Sequence, residues 1–128
     1  MPSITTVIFV ALGGALGSVL RYLLAAWTQS LSRSIDFPYG TLAVNLIGCF
    51  IIGFLSQLAE ARGAFTSESR VFVFVGILGG FTTFSSFGNE TMNLLHDGET
   101  VNALANVGAN VILGLMLVWL GRMVAYWV

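Results

Sequence analysis

The chain has no lysine, one cysteine, one histidine and two prolines in 128 residues, and its five Arg and six acidic side chains make up only 9% of it. A soluble domain carries about 25% charged residues, so this sequence lacks the polar surface that keeps a domain in water. Five scattered Arg and a net charge of −1 provide no basic patch for a nucleic-acid backbone, which excludes that partner. Cys49 has no second cysteine to pair with and reads as a small packing residue. His96 stands alone beside Asp97 in a turn, which leaves no Cys/His metal cluster and no basis for an enzyme. The first apolar segment lacks the basic start of a secretory signal and runs past Gly13 to Arg21 and Trp27, so it reads as a retained helix.

What is present is hydrophobic length. Charges fall at Arg21, Arg33, Asp36, Glu60, Arg62, Glu68, Arg70, Glu90, Asp97, Glu99 and Arg122, leaving stretches 1–20, 37–59, 71–89 and 100–121 free of them. Roughly 20 residues rising about 1.5 Å each cross a hydrocarbon core of about 30 Å. The sequence therefore predicts an all-α membrane protein with four transmembrane helices, at about 4–28, 39–61, 69–95 and 100–127, and one domain over 1–128. Pro38 and Gly40 open the second helix and Asp97 with Gly98 separates the third from the fourth. Trp27, Tyr39, Tyr126 and Trp127 lie at predicted helix ends, where aromatic belts form. The connections are too short for a soluble catalytic domain, so the function lies inside the bilayer, with the cell inner (plasma) membrane the expected location.

With four helices, Arg62, Arg70 and Arg122 fall on one side and Arg33, with Arg21 deeper, on the other. The positive-inside rule gives so even a distribution little to act on. Two readings stay open: one fixed topology with the Arg62 and Arg70 loop in the cytoplasm, or insertion both ways up. The second yields an antiparallel dual-topology homodimer, which recreates between chains the inverted symmetry that larger transporters build by duplication.

Polar residues inside the apolar runs need partners. Gly13, Gly17 and Arg21 recur every four residues and share one helix stripe. Small residues mark helix contacts in membranes, so Arg21 points into protein, either to bond backbone carbonyls or an acidic group or to draw an anion towards a vestibule. Thr41, Asn45, Gly48 and Ile52 share a face of the second helix, and the Asn45 amide either donates to an anion or caps unpaired backbone. Asn102, Asn106 and Asn110 stripe the fourth helix, as a hydrated track or as interhelical bonds.

The third helix is the most specific. Gly79 and Gly80, about 12 to 14 Å beyond Val71, precede Phe81, Thr82, Thr83, Phe84, Ser85, Ser86 and Phe87. Two glycines followed by two β-branched threonines make a poor helix interior, which predicts a break near the bilayer centre, with glycine as the terminating residue. Backbone groups freed there cannot face lipid. Carbonyls ending the first half suit a cation, and N–H groups opening the second half, with the hydroxyls, suit an anion. Phe84 and Phe87 share a face, as packing residues or as ring edges presented to an anion.

Three segments, GGALGSVLRY (13–22), GTLAVNLIG (40–48) and GGFTTFSSFGNET (79–91), together closely resemble the Fluc family of fluoride channels, also called CrcB. The resemblance spans all four helices. It implies an antiparallel homodimer with two pores that pass fluoride passively out of the cytoplasm, and a structural sodium ion at the dimer centre held by the carbonyls of Gly79 and Thr82 from each subunit. It further implies that Phe84 and Phe87 line the pore, that Asn45 donates to fluoride, and that Thr41, Ser85, Ser86, Asn106 and Asn110 belong to the polar track. Arg21 and Glu90 are structural or vestibule residues. Ser86 stands where Thr is more common, and Gly88 and Asn89 replace the usual Ser and Ala. The alternative transport class is a small multidrug-type proton-coupled antiporter, which needs a carboxylate deep in the membrane; only Glu90 is available. A non-transporting assembly subunit would tolerate changes at Asn45 and Phe84.

Overall fold

Ser3 opens the first helix, its Oγ accepting the Thr6 N–H at 3.1 Å and so satisfying one of the free donors of the first turn. In the computed structural model, which describes residues 1–128, four helices follow: α1 (Ile4–Ser32), α2 (Tyr39–Arg62), α3 (Ser67–His96) and α4 (Thr100–Trp127). Each is long and apolar enough to cross a membrane, and no strand is present. Only 17 of 128 residues are buried, so the outward leucines, valines and tryptophans need lipid or another protein chain against them.

α1 runs one turn beyond the predicted end at residue 28. No breaker intervenes before Arg33, which closes the helix in the left-handed region at φ 54°. Gln29 then organises the connection. Its Nε2 donates to the carbonyls of Ser34 at 2.8 Å and Phe37 at 3.0 Å, and its Oε1 accepts the Gly40 N–H at 2.9 Å. Gln29→Leu removes all three bonds while keeping the bulk, and it is expected to cost about 1–2 kcal/mol, water at the helix end replacing part of the loss. Thermal unfolding in detergent checks this.

Two helix pairs form the core. α1 lies along the first half of α3, and α2 lies along the second half of α4. Glycine permits both approaches: a Cβ on Gly13 would sit 3.0 Å from the Gly76 Cα, and one on Gly80 would sit 2.7 Å from the Gly14 carbonyl oxygen. On the other seam Gly53 meets the Val118 backbone and Gly121 that of Phe50. With no hydrophobic driving force between helices in lipid, such backbone proximity supplies the packing energy. α3 and α4 turn back on each other through Asp97, Gly98 and Glu99, where Gly98 takes a φ of 79°.

α3 is interrupted midway along its 30 residues, but not at the glycines. Gly79 is helical at φ −63° and ψ −39°, and the helix continues through Phe81 before Thr82 (φ −88°, ψ 155°) and Thr83 (φ −148°, ψ 120°) go extended. The predicted glycine terminus is therefore corrected: β-branched threonine, which favours extended backbone, makes the break, and Gly80 serves close packing. A second departure from regular α geometry lies in Val71–Leu78 and Ala109–Leu113, both wound as π-helix. Such wider turns often mark functional sites.

Candidate functional site

The Thr82–Thr83 break opens onto a cleft of about 380 Å³. α2 contributes Asn45 and Gly48 to its lining, α3 contributes Gly79, Thr82, Thr83, Phe84 and Phe87, and α4 contributes Asn110. Both π-helical segments reach it, through Phe74 and Leu78 on one side and Asn110 and Val111 on the other.

The backbone at the break is satisfied by side chains. Asn45 Oδ1 accepts the Thr83 N–H at 2.9 Å while its Nδ2 donates to the Thr83 carbonyl at 3.0 Å, so one amide imitates a strand partner for one extended residue. The second Nδ2 hydrogen goes to Asn110 Oδ1 at 3.0 Å. Both donors of Asn45 are thereby committed inside the chain. Within this chain Asn45 caps the backbone of the break. Arg21 Nε donates to the Gly80 carbonyl at 3.0 Å, which places the α1 arginine on the broken helix. The Leu78 carbonyl receives both the Thr82 N–H and Thr82 Oγ1, each at 3.0 Å.

One carbonyl is released by this arrangement. In a continuing helix the Thr83 N–H would close onto Gly79, yet Asn45 takes it. Gly79 itself faces open space: a Cβ there would meet only the Phe74 carbonyl, at 3.9 Å. Thr82, being extended, also carries its carbonyl out of the helical ladder. Hard cations take oxygen ligands, and the two residues that bear these carbonyls, Gly79 and Thr82, both line the cleft.

Thr83 also caps the second half of α3, accepting the Ser86 N–H at 3.2 Å through Oγ1. Phe84 and Phe87 follow with ring centroids 5.5 Å apart and planes at 60°. They differ in burial: Phe84 is 82% exposed and Phe87 8%, so Phe84 projects from the subunit and Phe87 walls it. Ser85 is exposed and Ser86 half-buried; neither borders the cleft within one chain.

Behind the cleft the amides join head to tail. Asn110 Nδ2 donates to Asn106 Oδ1 at 3.0 Å and to the Asn106 carbonyl at 2.9 Å. Asn106, 1% exposed, donates to Thr91 Oγ1 at 3.0 Å, and Thr91 donates to the Phe87 carbonyl at 2.8 Å. Two of the three striped asparagines thus form interhelical bonds that reach from the break to Phe87. Asn102 instead meets Glu99 at the exposed start of α4. Thr41 donates to Glu90 Oε1 at 2.7 Å, and the Glu90 Oε2 is buried without a partner. That pair lies outside the cleft; Glu90 borders a separate cavity of about 250 Å³ with Gln29, Asp36 and Asn93. Gln29 and the π-helical turns carry no local signal in the sequence, whereas Thr91 continues the face of Phe84 and Phe87 by its i, i+4 spacing to Phe87.

Residues 8–122 match the family model described as "CrcB-like protein, Camphor Resistance (CrcB)". The chain is 51% identical over 114 residues to the fluoride-specific ion channel FluC of Thermus thermophilus, covering 89% of this chain and 88% of that one. It is 46% identical over 125 residues to the protein of the same name in Methylobacterium radiotolerans, covering 96% and 86%. A third relative of that name, in Geobacter metallireducens, is 45% identical over 120 residues, covering 94% and 96%.

Proposed function

The chain belongs to the CrcB-like family, and from that premise we propose that it is a fluoride-specific ion channel of the inner (plasma) membrane, working as an antiparallel dual-topology homodimer. Each dimer carries two pores that let fluoride leave the cytoplasm down its gradient. The observation that carries this reading is the satisfied break at Thr82–Thr83, beside a cleft lined by Phe84 and Phe87. A strongly hydrated anion gives up water only where other groups replace it, yet binding must stay weak enough for release. Electropositive ring edges meet both demands, because they attract an anion without a fixed charge that would trap it. Hydroxyls of Thr83, Ser85 and Ser86 add donors along the path, and Asn45, Asn106 and Asn110 hold its wall. Thr41 and Glu90 bond to each other midway along the second half of α3. Arg21 is structural, fixing Gly80.

The exposure of Phe84 supports the dimer, since a pore-lining ring at 82% exposure needs a second chain to enclose it. The carbonyls of Gly79 and Thr82 from two subunits would hold a sodium ion, whose positive charge neutralises the clustered carbonyl dipoles of a dry interface. A proton-coupled antiporter would run through Glu90, which lies outside the cleft.

The deciding experiment measures fluoride efflux from liposomes containing only this protein, against a chloride control. Rapid fluoride release with chloride retained is expected; equal release of both, or of neither, overturns the reading. Phe84→Ile keeps apolar bulk but removes the ring edge, and flux is expected to fall about two- to tenfold, an aromatic contact being worth about 0.5–1.5 kcal/mol. Wild-type flux in that variant would return both rings to packing roles. A tag on the C-terminus is expected to be accessible from both membrane faces in roughly equal amounts, as the weak Arg asymmetry implies, and one-sided labelling of all functional protein would refute dual topology.

A further inference from the structure

The π-helical ring of Phe74 lines two cavities. One is the cleft at the break. The other, about 360 Å³, lies at the end of the molecule where α2 finishes and α3 begins, bordered by Ser56, Glu60, Arg70, Val71 and Phe74. Phe65, in the connection between these helices, packs edge-on against Phe74 with centroids 5.5 Å apart and planes at 79°, which holds the ring between the two spaces.

Charges at this outer cavity are arranged unevenly. Glu60 is engaged by Arg122 through a two-pronged pair, Nη1 to Oε2 at 3.0 Å and Nη2 to Oε1 at 3.1 Å. Such fork-to-fork geometry is the strongest form of guanidinium–carboxylate contact. Arg70, on the same cavity, makes no ion pair. The one acidic group bordering the cavity is therefore paired from α4, and Arg70 beside it has no ion-pair partner of its own. Arg62 ends α2 close by in sequence and Glu68 opens α3, so the three arginines and two glutamates at this end leave a net charge of +1.

We propose that this cavity is the anion-capturing mouth of the cleft, with Arg70 as the attracting cation, Phe74 as the aromatic partition between mouth and pore, and Arg122 as the residue that masks Glu60. This rests on the channel reading above and adds to it a capture site for a small monovalent anion. A low-dielectric wall on one side of Arg70 focuses its field into the cavity and raises the local anion concentration. An unmasked Glu60 would oppose it at the same short range.

A charge cycle tests the mouth independently of the pore. Fluoride efflux is measured at low fluoride, where capture limits the rate, for the wild type and for Arg70→Gln, Arg122→Gln, Glu60→Gln and the Glu60→Gln/Arg122→Gln double variant. Each preparation is checked first for dimer elution and helicity. At low ionic strength Arg70→Gln and Arg122→Gln are each expected to slow flux about two- to threefold, and Glu60→Gln to speed it by a similar factor. The double variant is expected to return to the wild-type rate, although it lacks the ion pair altogether. At about 1 M of a salt with a large impermeant anion, where the Debye length is about 3 Å, the differences are expected to vanish. A double variant as slow as Arg122→Gln would mean the pair acts by holding α2 to α4 and would overturn the proposal, as would differences that persist at high salt or normal flux in Arg70→Gln. Wild-type protein that releases no fluoride would instead refute the channel reading.

Discussion

Asn45→Asp is expected to reduce fluoride flux to the level of protein-free liposomes, although the substitution changes a single amide nitrogen to oxygen. The wild-type amide does three things at once: it accepts from the Thr83 N–H and donates to the Thr83 carbonyl and to Asn110 Oδ1. An ionised Asp keeps the first bond and loses both others, because it has no donor. It also sets a negative oxygen against two acceptors left without partners, each costing about 1–3 kcal/mol where water is excluded. The extended conformation at Thr82–Thr83 depends on that clamp, and so does the presentation of Phe84. The charge would, in addition, repel an anion in a low-dielectric passage. Efflux and dimer elution measured on one preparation check the result. A stable, fully conducting Asn45→Asp protein would show that the break holds without its amide. Asn110→Ala, which leaves the Thr83 clamp in place, is expected to be the milder change.

Gly79→Leu is the second large effect, and Gly80→Leu is its control. A side chain on Gly80 meets the Gly14 backbone within its own subunit, so Gly80→Leu is expected to fail to fold. Adjacent Gly79 has only the Phe74 carbonyl within 4 Å, at 3.9 Å. Within one chain, leucine there has room. If the open side of Gly79 faces a second subunit and a shared sodium ion, Gly79→Leu is expected to give a helical, soluble-in-detergent subunit that elutes as a monomer and conducts no fluoride. A dimeric and conducting Gly79→Leu protein would remove this position from the interface. Comparing the two variants separates packing inside the chain from packing between chains, which no single glycine substitution does.

The four helices were legible because charge is so scarce that its eleven positions partition the chain directly, and because lipid leaves an apolar run of some 20 residues little choice but helix. The stripe of Gly13, Gly17 and Arg21 was legible by spacing alone, and its partner could be named only as carbonyl, acid or anion. The fold selects the Gly80 carbonyl. The broken third helix was foreseen from Gly79 to Thr83, but the residue at fault was misassigned. Glycine is intrinsically a helix breaker, yet Gly80 is held helical by the gain of approaching Gly14, and Thr82 and Thr83 gain more by going extended against Asn45.

Scarcity of charge, length of the apolar runs and the three specific segments determined membrane residence, helix number and family, since each depends on local composition that solvent reads directly. Tertiary structure decided everything that depends on who stands opposite. It committed both hydrogens of Asn45 to the chain itself, released the Gly79 carbonyl, turned Phe84 outward and Phe87 inward, and masked Glu60 with Arg122 across 62 residues of sequence. A side chain's hydrogen-bonding capacity is a property of its type, but its free donors and net charge are what remain after its neighbours are counted, and those neighbours are fixed by the fold.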